Sequence, residues 1–285
     1  MNKRLKTAIS ALLSIILVFV LTGLFIVSFA DKRIRTSDFM MGQLTVTNTY
    51  ENAYNSLMKK FSERSGETAM PVSVYERSFS RDWMKTHIDR QISGNFFDSG
   101  EKAEFDYSQA EKSITEYFEE YARENHVIKD ETYEKRLNEA ISDAEKTAFS
   151  AADVYHIETL KKSGIWDDIG KARNILPKLK LGLLISAAVL IVLLIILGGG
   201  IYWTGTSFFA TGCIITVPAA YIFISDVIMK FSLKDMTAYT LATETMKAMN
   251  GDVLMRSIGI TLLGVFMTAV GIIIRRRSGK GESGQ

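Results

Sequence analysis

Acid–base or metal chemistry in this chain would have to draw on its three histidines, His87, His126 and His156. No two of them stand at the spacing that puts two ligands on one helical face. Asp153 and His156 are one turn apart on a predicted helix and would form half of a divalent-metal site, but a packing or surface role is the simpler expectation. Glu119-Glu120 and Asp167-Asp168 are adjacent in sequence, so their side chains diverge on a helix and do not form a catalytic dyad. The sequence has no His-Glu-x-x-His run, no phosphate-binding loop ending in Gly-Lys-Ser/Thr and no Gly-x-Ser-x-Gly elbow. The expectation is a protein that is not an enzyme and holds no cofactor or metal; a membrane-surface enzyme is the weaker alternative.

One acid stands apart. Asp226 lies near the end of an apolar stretch, where an ionisable side chain is a functional candidate by default. Lys230 follows four residues later, and a helical i,i+4 pair at the membrane interface accounts for both. A second pattern is Ser257, Thr261, Gly264, Thr268 and Gly271, small residues at gaps of four and three. Such a stripe lets helices approach closely in lipid. Gly212, Thr216 and Ala219 offer a similar face. Packing within one chain is the first reading and a contact between copies the second.

The elements that would carry these residues are long and apolar. A bilayer core of about 30 Å needs roughly 20 apolar helical residues. The reading is an all-α membrane protein with four transmembrane helices and a helical-bundle extracytoplasmic domain between the first and second. Residues 1–6 form an N-terminal tail, and residues 7–30 the first span. Residues 31–180 are the external helical domain. An uncharged run from Leu181 to Val227 is too long for one crossing and is divided at Gly198-Gly199-Gly200. It gives spans at 181–199 and 207–229 joined by a short cytoplasmic hairpin, 200–206. Residues 230–252 read as an external amphipathic segment capped by Ser232 and Asp235 and ended by Asn250-Gly251. The fourth span is 253–274, followed by a basic tail, 275–285.

Lys3, Arg4 and Lys6 precede the first span, and Arg275, Arg276, Arg277 and Lys280 follow the last. Basic residues at span ends stay in the cytoplasm, so both termini are expected there and residues 31–180 outside a plasma membrane. Lys178, Lys180, Lys230 and Lys234 would then be external. Ser28-Phe29-Ala30 offers a signal-peptidase site after Ala30, but the apolar run exceeds a signal h-region of about 7–15 residues, so an uncleaved anchor is expected.

Residues 31–176 carry 21 Lys and Arg against 27 Asp and Glu, and 98–145 carry 6 against 15. This excludes a nucleic-acid footprint. The sole cysteine, Cys213, sits in an apolar span, so no internal disulfide is possible. Tyr50, Tyr54, Leu57, Met58 and Phe61 form a helical stripe that Gly66 would end. Residues 82–93 read as a helix stopped by Gly94, and residues 72–75 as a short extended piece. Ser108 and Glu111 read as a capping box ahead of Ile114, Tyr117, Phe118 and Tyr121, a core stripe. Asp130 opens a helix running to Ser163, with Leu137, Ile141, Ala144, Ala148, Ala151 and Tyr155 as its buried seam. Pro177 is placed at the start of the second span. A bundle of about four helices follows.

The layout of residues 8–200, a helical bundle between two spans, is similar to that of bacterial chemoreceptor sensor domains, without a shared motif. The predicted cytoplasmic parts are short, so a signal would pass through a partner. The function expected is binding or scaffolding of a ligand or partner by the external domain. The partners expected are membrane lipid and another envelope protein or a second copy. A channel or transport component is the alternative; without deep charges it would be a passive pore rather than an ion-coupled carrier.

Overall fold

The computed structural model describes residues 2–34, 37–68, 70–96, 105–230 and 236–281. Among them every regular element is helical, and four helices are long and apolar enough to cross a membrane: Arg4–Arg33, Ile165–Ile196, Gly200–Ile224 and Met236–Arg276. The expected cap at Ser232 and Asp235 lies outside the described residues. The chain divides into two compact units.

The first unit contains residues 1–35, 168–232 and 245–285. Its helices are α1 (Lys3–Ile34) and most of α9 (Ile165–Ile196), α10 (Gly200–Ile224) and much of α11 (Met236–Gly281). Their apolar side chains point largely outward; Leu12, Phe19, Leu184, Val192 and Phe266 are all exposed. Outward apolar surface on this scale is unstable in water and is what a lipid environment selects. The inside of the unit is small and polar by comparison. Ser14, Thr204, Ser207, Thr211 and Ser257 are buried, and Leu17, Leu21, Ala187 and Leu194 form a small apolar cluster.

Registers fix the helix directions. Ser14 Oγ lies 2.7 Å from Ser207 Oγ, and Thr211 Oγ1 donates to the Val18 carbonyl at 3.4 Å, so α1 and α10 run parallel. Gly205 faces Thr268, Gly212 faces Thr261, and Thr216 Oγ1 donates to Ser257 Oγ at 2.9 Å, so α10 and α11 run antiparallel. The starts of α1 and α10 and the ends of α9 and α11 therefore share one end of this unit.

Three boundaries differ from expectation. The turn between α9 and α10 falls at residues 197–199, and residues 200–206 are helical. Gly198 alone takes the reversal, with φ of 82°, a conformation a side chain would strain. Pro177 lies inside α9 rather than at its start, and its missing N–H leaves one interior helical bond unmade. Asn250-Gly251 does not end a helix. α11 runs through it, with Asn250 Nδ2 donating to the Ala219 carbonyl of α10 at 3.0 Å.

The second unit contains residues 36–167 and 233–244. It has α2 (Asp38–Val46), α3 (Thr49–Thr68), α4 (Val72–Ser78), α5 (Arg81–Phe96), α6 (Ser108–Glu124), α7 (Glu131–Ala152) and α8 (Ile157–Lys162). Leu57 and Phe61 of α3, Val74 of α4, Met84, Ile88 and Ile92 of α5, Ile114 of α6 and Ala144 and Ala148 of α7 form one core. Phe61 stacks on Tyr75 with ring centroids 3.9 Å apart. Leu241, from the early part of α11 belonging to this unit, joins the same core.

Local physics explains the departures here as well. Residues 72–75 are helical because Val74, Tyr75 and Ser78 recur at helical spacing and are all buried. Gly66 and Gly94 fall inside α3 and α5, where core contacts outweigh glycine's cost of about 1 kcal/mol. Ser108 does not cap α6 through Glu111; its hydroxyl bonds Asp106 Oδ1 at 2.7 Å. Asp130 caps α7 as expected, accepting from Tyr133 N at 2.9 Å. That helix ends at Ala152, well short of Ser163, because buried Asp153 caps the next one: its oxygens accept from Ile157 N at 2.7 Å and Glu158 N at 3.1 Å.

Candidate functional site

Asp226 and Lys230 do not form the expected helical pair. α10 stops at Ile224, Asp226 turns with φ of 49°, and residues 227–230 make a 3-10 turn. That geometry breaks the i,i+4 alignment, and both side chains are exposed.

The small-residue stripe of α11 lies against α10. A Cβ on Gly264 would sit 2.2 Å from the Phe209 nitrogen, one on Gly271 2.7 Å from Tyr202 Cα, and one on Gly212 2.7 Å from Thr261 Cα. Ser257, Thr261 and Thr268 complete the same face; Thr261 and Thr268 return their hydroxyls to carbonyls one turn earlier, at 2.9 and 2.8 Å. This stripe is a packing surface whose polar groups are satisfied locally and across the helix pair.

The two ends of the membrane unit differ in charge. At one end Lys180 reaches buried Asp31 at 3.2 Å, Arg256 meets Asp252 at 2.6 Å, and the Arg33 guanidinium also bonds Asp252. These contacts tie α1, α9 and α11 together. Sequence patterning does not reveal these partners, because the pairs are 149 and 219 residues apart. Among the described residues the opposite end carries cations and no acid. Arg275 stacks over Tyr202, 4.4 Å from its ring centroid, and packs against bare Gly199.

In the helical unit, His87 is buried and bonded on both ring nitrogens. Nδ1 lies 2.7 Å from the Trp83 carbonyl, and the Asp106 N–H donates to Nε2 at 2.8 Å. A carbonyl can only accept and an amide N–H can only donate, so the ring is neutral with its proton on Nδ1. Burial also holds its pKa below the ordinary histidine value. The Trp83 indole, stacked on His87, donates to the Asp106 carbonyl at 2.7 Å. His87 is thus a structural clip between α5 and the start of α6, with no lone pair left for a metal. Asp153 is engaged as a cap, and His156 takes a left-handed backbone (φ 51°) in the break before α8. Among the described residues no three His, Cys, Asp or Glu side chains gather to hold a metal.

Among the described residues of this unit, Val46 and Met236 face solvent singly, and the tip between α6 and α7 gathers three exposed apolar side chains. Ile128 is 80% exposed, Tyr121 49% and Val127 42%. Tyr121, expected in the core, is turned outward. The tip is fixed nonetheless: His126 takes φ of 54°, and the Val127 N–H returns to the Ala122 carbonyl at 2.9 Å, a helix-ending Schellman bond. Glu119, Glu120, Glu124, Asp130 and Glu131 flank it in sequence. No family model, no curated protein and no solved structure matches this chain.

Proposed function

We propose that this chain is a multi-pass plasma-membrane protein, with both termini cytoplasmic and residues 31–180 on the outer face. Its helical unit docks or scaffolds another envelope protein and performs no catalysis. The observation that carries this reading is the tip formed by Tyr121, Val127 and Ile128. Exposed apolar side chains held on a pre-ordered turn lose little entropy on binding, which favours recognition. Arg123 and Lys129 pair with Glu120 and Glu119, and the remaining flanking acids suit a partner whose apolar patch has a basic rim. The orientation is supported by the basic residues before the first span and after the last. The channel alternative has less support, since the hydroxyls that would line a pore bond to one another between helices, Ser14 with Ser207 and Thr216 with Ser257.

The test is recovery of a stoichiometric partner from native membranes after mild solubilisation. Ile128→Asp is expected to cut that recovery about tenfold or more, the effect of losing a central contact worth roughly 2 kcal/mol. Its thermal midpoint should match that of the wild type, because the side chain supports no core contact. Undiminished recovery with Ile128→Asp, or no partner at all, would remove the docking role from this tip.

A further inference from the structure

We propose that the cleft between the turn at residues 197–199 and the end of α11 binds the headgroup of an anionic phospholipid, its chains lying along the neighbouring isoleucines. The cleft holds about 210 Å³ and is lined by Gly198, Gly199, Tyr202, Ile274 and Arg275. Gly198 bares the backbone there, with nothing within 4 Å of its Cβ position, so a phosphate can approach it without meeting a side chain. Arg275 supplies the charge. It is exposed, yet placed by the Tyr202 ring and by Gly199, where even a methyl group would come within 2.7 Å of its guanidinium. A guanidinium positioned in this way is a phosphate-binding group with its geometry already set.

Charge complementarity favours an anion. Arg4, Lys6, Arg275 and Arg276 gather at this end, and the sequence has no Asp or Glu in residues 2–30, 169–225 or 253–281. At the other end Asp31 pairs with Lys180, and Asp252 is shared by Arg33 and Arg256. The apolar half of the occupant follows from Ile195, Ile201 and Ile274, which are 58%, 44% and 46% exposed beside the cleft. Free phosphate would use the cation and the bare backbone and leave those side chains uncovered. A lipid with an anionic head satisfies both. This inference is independent of what the helical unit binds.

The experiment uses the intact protein in mild detergent, with retention of phosphatidylglycerol and phosphatidylcholine compared by native mass spectrometry. Wild type should retain the anionic lipid preferentially. Arg275→Gln should reduce that preference about fivefold, the loss of one basic contact to an anionic headgroup. Lys230→Gln, an exposed cation at the opposite end, should leave it unchanged. Should Arg275→Gln fail to fold, Arg275→Lys keeps the charge and is expected to keep the preference in part. Equal retention of the two lipids by the wild type, an unaltered preference in Arg275→Gln, its abolition in Arg275→Lys, or displacement of the lipid by an equal concentration of inorganic phosphate would each overturn the proposal.

Discussion

Gly264→Leu is expected to prevent α10 and α11 from packing and to leave the membrane unit without its native compactness. The first atom of any side chain at Gly264 would meet the backbone of Phe209 at 2.2 Å. Side-chain rotation cannot relieve a clash with a peptide unit, so the helices must separate. Separation also breaks the Thr216–Ser257 hydrogen bond and opens the faces at Gly205, Gly212 and Gly271. Overpacking a side chain costs about 1–3 kcal/mol, and a clash with backbone exceeds that range. Gly259→Leu on the same helix is the matched control, since nothing lies within 4 Å of its Cβ position. Thermal unfolding in detergent should show a collapse for Gly264→Leu and little change for Gly259→Leu.

His87→Ala is expected to destabilise the helical unit by about 2–4 kcal/mol, combining a cavity with the loss of buried hydrogen bonds at the Trp83 carbonyl and the Asp106 N–H. A pH dependence accompanies it. Burial lowers the folded-state pKa of His87, while the unfolded chain titrates near 6.5. Above that value both states are neutral and the contribution of the clip is complete. As pH falls below about 6.5 the unfolded state takes up a proton that the folded state resists, so stability declines until the folded pKa is reached. Protonation would also set an Nε2–H against the Asp106 N–H. Thermal midpoints between pH 7.5 and 5 should fall for the wild type, with a shallower slope for His87→Ala.

The spans were legible because the bilayer leaves little choice: a long uncharged helix is readable from composition alone. The α11 stripe was legible for a related reason, since Ser257, Thr261, Gly264, Thr268 and Gly271 keep one helical face small. Its counterpart was only half visible. Gly212 and Thr216 stood out, whereas Gly205 looks like any other glycine until Thr268 is placed against it. Pairings such as Asp31 with Lys180 were hidden because periodicity reports faces and not partners. Asp153 conceals its capping role for a different reason. An acid in a helical pattern can sit on the surface of one helix or cap the next, and only its burial decides between them. Tyr121 shows the reverse error. Its spacing matched the core stripe of α6, but in the last turn the core takes Ala122 and leaves Tyr121 on the outer side.

The placement of the helical unit on the outer face is tested most directly by cysteine labelling. With Cys213, the only native cysteine, changed to serine, Asn138→Cys puts one thiol on an exposed position of α7. A membrane-impermeant maleimide should label that thiol as fully in intact cells as in lysed ones. Labelling that requires lysis would put the acidic helical unit in the cytoplasm and contradict the account.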